Sequence, residues 1–324
     1  MLDALFVALS AVVPVFLVIG LGIWLRRQEV LPDNAGRVLG LYVLKIALPL
    51  LVLHLFAQAR PEDLARGSFW LGLLLSQGLM FALVWSADRL AWRKGRREAI
   101  VAGMNCCVSN MAFVGLPIIC NLFPANAEAL LVAGLAILSP NLAIALIQAR
   151  LDWLHGSANN SLRSFLRRVL LGNPLLLAAL TGCILAGTGW GLWIPLDRTV
   201  SLLGYTAAPC MLLSLGLDLR TRVAMARQLG SGSIVARQSW LLTCKLFIHP
   251  LLCWLLLYLF GVEGLWLTVS VLLSATGAAL VNALMAEVYD AGPAEVALSV
   301  VLSNGLSMFT VTAFIWIFLY LGMV

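Results

Sequence analysis

Asn110-Met111-Ala112-Phe113-Val114-Gly115-Leu116-Pro117 lies at the centre of an apolar segment running from about residue 98 to residue 123. Proline removes a helix hydrogen bond and disfavours helical backbone at the residue before it, so this stretch predicts unpaired backbone groups around Phe113 to Leu116. At bilayer depth such groups persist only where the backbone lines a cavity or is buried in protein. Secondary transporters use breaks of this kind to aim half-helix ends at a midplane site. A plain proline kink is the bland alternative.

The surrounding composition puts the segment in a bilayer. Of 324 residues 62% are apolar and 11% charged, and the mean hydropathy is +0.98, far more apolar surface than a soluble core uses. Windows of about 20 apolar residues predict ten spans, near 4–25, 38–57, 68–90, 98–123, 126–150, 170–191, 197–217, 234–260, 263–288 and 294–321. The expectation is an all-α integral membrane protein of ten transmembrane helices.

The cations set an orientation. Arg26, Arg27 and Arg37, then Arg89, Arg93, Lys94, Arg96 and Arg97, then Arg150, Arg163, Arg167 and Arg168, then Arg220, Arg222, Arg227 and Arg237 follow odd-numbered spans. The opposite face holds Arg60, Arg66 and Arg198, while Lys45 and Lys245 fall inside spans. Because cytoplasmic loops collect Lys and Arg, both termini are expected on the outer, periplasmic side of a cell inner membrane. The net charge of +6 then describes loops facing anionic lipid. No basic stretch is interleaved with aromatics, so no nucleic-acid partner is expected. The N-terminus has no basic n-region and reads as a retained span. The seven Cys lie in predicted spans without metal-ligand spacing and read as small packing residues, with no metal and no cofactor expected.

The second half of the chain echoes the first. Pro49 within LYVLKIALPLLVLHLF (41–56) matches Pro209 within LLGYTAAPCMLLSLGL (202–217), and Ala127-Glu128 recurs as Ala294-Glu295. A five-plus-five duplication follows, with repeats at 1–155 and 170–324 joined by a cytoplasmic linker at 156–169. An odd number of spans per repeat makes the two copies inverted, a mark of secondary transporters. The partner of the broken fourth span is the ninth, where Ser274 to Asn282 is rich in Gly and small polar residues around Gly277. The two breaks, with Gly115 and Pro117 in one and Gly277 in the other, are expected to cross.

Ionisable and amide groups inside spans are costly and usually functional. Asn110 and Asn282 occupy equivalent places in the two breaks, where an amide donates to a carboxylate or caps a half-helix N-terminus whose dipole also favours anions; structural capping alone is the competing reading. Asn141 beside Pro140 and Asn304 before Gly305 occupy corresponding stretches of spans five and ten. Lys45, one turn before Pro49, is placed to compensate an anion or else to snorkel. Lys245, Ser109 and Asn105 are secondary candidates, with Gln77 a weaker one. His249, His54, Glu287 and Asp290 read as structural or interfacial.

Several stretches together carry a resemblance to the auxin efflux carrier family, which includes malonate carriers and the plant auxin exporters. ALPLLVLHLFA (47–57) resembles that family's proline-bearing second helix, NMAFVGLPI (110–118) its broken fourth, and LVNALMAEVYDAGPAEVALSVVLSNGLSMFT (280–310) its ninth and tenth. The resemblance spans nearly the whole chain and implies the ten-helix fold shared with bile acid symporters and sodium/proton antiporters. In that fold a scaffold of helices 1, 2, 6 and 7 holds a mobile transport domain of helices 3–5 and 8–10, and carriers often form homodimers through the scaffold. The chain departs from the family where Gly277 stands near the proline usual in the ninth-helix break.

These readings converge on a secondary transporter of a small organic anion, malonate-like or auxin-like, with H⁺ or Na⁺ as candidate coupling ion. A cation/proton antiporter or sodium symporter of the same fold and a non-transporting receptor are the alternatives. An intramembrane enzyme needs a nucleophile with a base, or a metal pair, and neither is found in the sequence.

Overall fold

The computed structural model describes residues 2–154, 173–226 and 233–323. The expected linker at 156–169 lies outside the described residues. Among the described residues helices make up the ordered elements, and the one β contact is an isolated bridge between Ser109 and Ala278. In chain order the helices are α1 (Leu2–Arg27), α2 (Ala35–Ala57), α3 (Gly67–Leu90), α4 (Arg96–Cys107), α5 (Met111–Leu122), α6 (Ala127–Leu154), α7 (Pro174–Thr188), α8 (Ile194–Gly204), α9 (Ala207–Ala226), α10 (Val235–Leu259), α11 (Gly264–Ser274), α12 (Leu280–Val288) and α13 (Pro293–Tyr320). Seven helical stretches among the described residues are long and apolar enough to cross a membrane; α5, α7 and α11 are shorter apolar helices. The chain is a multi-pass membrane protein.

Local chemistry explains the boundaries. Asn173 caps α7, its side chain accepting the Leu175 N–H at 3.0 Å. Pro174 fills the first helical position, and Gly189, at φ 69°, ends the helix left-handed. One-turn π segments at Val43–Ala47, Met111–Gly115 and Cys244–Ile248 each stop two residues before a proline: Pro49, Pro117 and Pro250. Proline has no N–H and its ring crowds the carbonyl four residues back, and the wider turn absorbs that shift. This corrects the expected position of the break in the 98–123 segment. Phe113 to Leu116 stay helical, with Gly115 in the π turn against Leu273, and the unwound residues are Val108 to Asn110.

Two groups of helices emerge from the packing. In the first, α2 contacts α7, α8 and α9, and α9 lies along α1. There Gly22 and Gly216 bring two backbones together so closely that a Cβ on Gly22 would sit 2.9 Å from the Gly216 Cα, the small-residue contact that membrane helices use in place of a hydrophobic drive. In the second, α3 contacts α4, α6 and α10, α11 contacts α6 and α10, and α12 packs on α4 and α13. α1 and α9 also lean on α5 and α13 and so join the groups.

Charged contacts tie helix ends together on opposite sides. At one side Arg237 Nη2 meets Asp88 Oδ2 at 2.5 Å, a second Arg237 nitrogen meets Glu295, and Lys94 Nζ reaches Glu295 Oε1 at 2.8 Å. The end of α3 and the starts of α10 and α13 therefore share a face. At the other side His54 Nδ1 pairs with Asp197 Oδ1 at 2.6 Å, and Trp266 Nε1 donates to Glu128 Oε1 at 2.8 Å beneath the Arg66 guanidinium. Asp88 is fully buried and Arg237 nearly so, so removing one partner strands the other; such losses run to about 3–5 kcal/mol. Arg237→Met is expected to lower the thermal unfolding midpoint of the detergent-purified protein sharply, and Asp88→Asn/Arg237→Met to recover part of it. Equal midpoints for wild type and Arg237→Met would show the pair to be dispensable.

Candidate functional site

The two breaks meet. The Asn110 N–H donates to the Gly277 carbonyl at 2.7 Å and the Ala279 N–H to the Val108 carbonyl at 3.0 Å. This short antiparallel pairing satisfies backbone groups that unwinding frees from their helices. It places the C-terminal ends of α4 and α11 and the N-terminal ends of α5 and α12 around one point. Helix ends carry partial charges, negative at the C-terminus and positive at the N-terminus, so the crossing holds polar backbone of both signs.

A net of amides surrounds the bridge. Asn304 Nδ2 donates to the carbonyls of Ala278 and Val300, both at 2.8 Å, and Asn304 Oδ1 accepts from Asn110 Nδ2 at 2.7 Å. Asn282 Nδ2 donates to the Val108 carbonyl at 3.2 Å and to Asn105 Oδ1 at 3.4 Å, while Asn105 Nδ2 donates to Ser299 Oγ at 2.7 Å. Neither Asn110 nor Asn282 caps its own half-helix with its side chain; each braces a neighbouring segment instead, Asn110 through Asn304 and Asn282 the opposite break. Asn282 Oδ1 is buried without a hydrogen-bond partner among the described residues.

Behind the bridge sits a buried lysine. Lys245, in the π turn of α10 and 1% exposed, directs Nζ to Ser109 Oγ at 2.5 Å, to the Ser274 carbonyl at 2.9 Å and to His249 Nδ1 at 3.3 Å. Ser274 ends α11, so its carbonyl is one that the helix itself leaves free. No carboxylate among the described residues hydrogen-bonds to these groups. For an ammonium at Lys245, charge compensation falls to the α4 and α11 carbonyl ends.

Six of the residues singled out in the sequence thus come together: Asn105, Ser109, Asn110, Lys245, Asn282 and Asn304. Two do not. Lys45 is exposed on α2 among exposed Leu41, Leu44 and Ile46, and its segment packs on α7, α8 and α9. Asn141 turns its amide back to the Ile137 carbonyl at 3.0 Å and accepts from Asn173 at 3.0 Å, bracing the start of α7. Gln77 is buried and donates to Ser139, and Glu287 and Asp290 are exposed beyond the break. Ser299 and Ser303 were not singled out. Ser303 Oγ accepts the Ala278 N–H at 3.0 Å, and the four-residue spacing Ser299, Ser303, Ser307 within an apolar helix was the available signal.

Residues 7–315 match the protein family described as "Membrane transport protein". The chain is also 25% identical over 309 residues, 94% of its own length and 94% of the relative's, to a protein of Rhizobium meliloti (strain 1021) named "Putative malonate transporter". The chain belongs to the membrane transport protein family, in agreement with the resemblance to the auxin efflux carriers.

Proposed function

We propose that this member of the membrane transport protein family is a secondary carrier that moves a small carboxylate, malonate-like or auxin-like, across a cell inner membrane by alternating access. The observation that carries the reading is the crossing itself: a buried lysine and several amides converge where two helices are interrupted, with no carboxylate among the described residues hydrogen-bonded to them. An anion finds there a positive field and N–H donors. A cation antiporter of the same shape would want a carboxylate at this point. The Rhizobium meliloti relative, whose name refers to malonate, supports the acid class.

Counting α4 with α5, α8 with α9 and α11 with α12 as single interrupted spans gives ten, arranged as two inverted repeats of five with both termini outside. The α1, α2, α7, α8 and α9 group forms the scaffold, which is also the surface for a homodimer. The remaining helices form the transport domain that carries the crossing in an elevator movement. The Gly22–Gly216 contact and the interlocked α2, α7 and α8 keep the first group rigid, while the Asp88–Arg237–Glu295 cluster binds the second into one body.

Reconstitution in liposomes tests the proposal. Saturable flux is expected for malonate, another short carboxylate or indole-3-acetate, and none for the corresponding neutral esters. Absence of saturable flux for every acid, by tracer uptake as well as current, overturns the reading.

A further inference from the structure

We infer that the Lys245 ammonium is the built-in cation of this carrier, occupying the place between the two breaks where an alkali-metal ion would otherwise sit, so that substrate movement does not require Na⁺. The inference rests on the carrier reading above and specifies its coupling. Three observations carry it. The ligands are those a small hard cation takes: a backbone carbonyl at a half-helix C-terminus, Ser274, and a hydroxyl oxygen in the opposite break, Ser109, at 2.9 Å and 2.5 Å from Nζ. In transporters with interrupted helices, unwound carbonyls and half-helix C-terminal ends are where coupling cations bind.

With His249 in its Nε2–H tautomer, the three ammonium hydrogens find three acceptors, Nδ1 being the third at 3.3 Å. Ser109 Oγ spends its own hydrogen on the Ser274 carbonyl at 3.1 Å, leaving its oxygen free to accept from Lys245. His249 then carries its hydrogen on Nε2, a buried atom with no partner among the described residues. Finally, Lys245 is 1% exposed and its stem arises from α10, outside both breaks. The charge is therefore delivered from behind and stays when the substrate leaves. A diffusible ion would have to bind and dissociate in each cycle; a tethered one does not.

The full-length protein tests this by thermal unfolding in detergent, without substrate, in NaCl against choline chloride, for wild type, Lys245→Ala and Lys245→Met. Wild type is expected to unfold at the same temperature in both salts. Lys245→Ala, which opens the oxygen-lined space, is expected to unfold several degrees lower in choline and to recover with rising Na⁺ or methylammonium, as ligand linkage requires. Lys245→Met, which fills the space with an apolar chain, is expected to respond to neither. A Na⁺-dependent wild-type midpoint overturns the inference, and so does a folded Lys245→Ala indifferent to every small cation. If Lys245→Ala does not fold, the wild-type comparison decides alone. Because these readouts need no substrate, they stand or fall separately from acid flux. Where flux is found, wild-type rates within about twofold with and without Na⁺ agree with the inference, and strict Na⁺ dependence contradicts it.

Discussion

Acid uptake is expected to fall roughly 10- to 100-fold in Asn282→Ala and roughly 1,000-fold in Asn282→Asp if, as proposed, Asn282 turns its amide from the long Asn105 contact to an incoming carboxylate at the crossing. Hydrogen bonds to charged groups contribute about 1.5–3 kcal/mol, and every 1.4 kcal/mol is tenfold in affinity. Stability is expected to change far less in the alanine variant. The Val108 carbonyl that Asn282 supports keeps its bond from the Ala279 N–H at 3.0 Å, and the contact to Asn105 Oδ1 is long at 3.4 Å. An aspartate has the size of asparagine but sets a negative charge against an anion. At about 4 Å and an effective dielectric near 20 the repulsion is about 4 kcal/mol. Asn110→Ala is expected to behave like Asn282→Ala in transport, but with a larger loss of stability, since it leaves Asn304 Oδ1 buried and unpaired. Each variant is compared with wild type in proteoliposome uptake and thermal midpoint. Wild-type apparent affinity in both Asn282 variants would remove that residue from the substrate path.

The difference between these two asparagines shows what the sequence made legible. Helical spacing, the proline rule and the small polar run around Gly277 identified both breaks and their partnership, because backbone frustration is a local property that composition records. The exact unwound residues were not legible. Whether a proline opens a helix or is absorbed by a π turn depends on the neighbour that closes the register, and for Pro117 that neighbourhood includes Leu273 on α11, far away in sequence. On sequence alone Lys45 ranks above Lys245, and the structure reverses that order, each being a lysine shortly before a proline in an apolar span. Only the face on which each π turn presents its side chain separates them, outward for Lys45 and onto the Ser274 carbonyl for Lys245. Asn141 and Asn304 divide in the same way. They occupy corresponding stretches of the two halves of the sequence, yet Asn304 braces the crossing and Asn141 braces the start of α7. The charged pairs at helix ends are tertiary as well. Asp88, Arg237 and Glu295 are too distant in sequence for any periodicity to connect, although the positive-inside pattern placed their helix ends on a common face.

Gly277→Ala is expected to cost more stability than any other single-methyl change at the crossing, and to abolish transport with it. A Cβ at Gly277 would lie 2.6 Å from the Asn304 Cα and backbone N and 2.7 Å from the Asn304 Cγ. The obstacle is helix backbone, which cannot turn aside as a flexible side chain does. Relief requires α13 to move off the break, and Asn304 is the residue that holds the Ala278 carbonyl and the Asn110 amide. The displacement thus breaks the amide net along with the packing. Overpacking of this kind costs about 1–3 kcal/mol and sometimes more, before the unpaired amides are counted. Gly305→Ala supplies the control, because a Cβ there meets nothing within 4 Å and alanine favours a helix interior over glycine by about 1 kcal/mol. Gly305→Ala is expected to match or exceed the wild-type midpoint. Gly277→Pro is expected to fail as Gly277→Ala does, since proline carries the same Cβ. While α13 lies against this break, the proline that the resembled family usually has near here cannot simply replace Gly277. The measurement is the thermal midpoint and uptake rate of the three variants side by side. A Gly277→Ala protein with wild-type values in both would show that α13 does not rest on the break in the membrane, and the amide net would then lose its claim to organise the site.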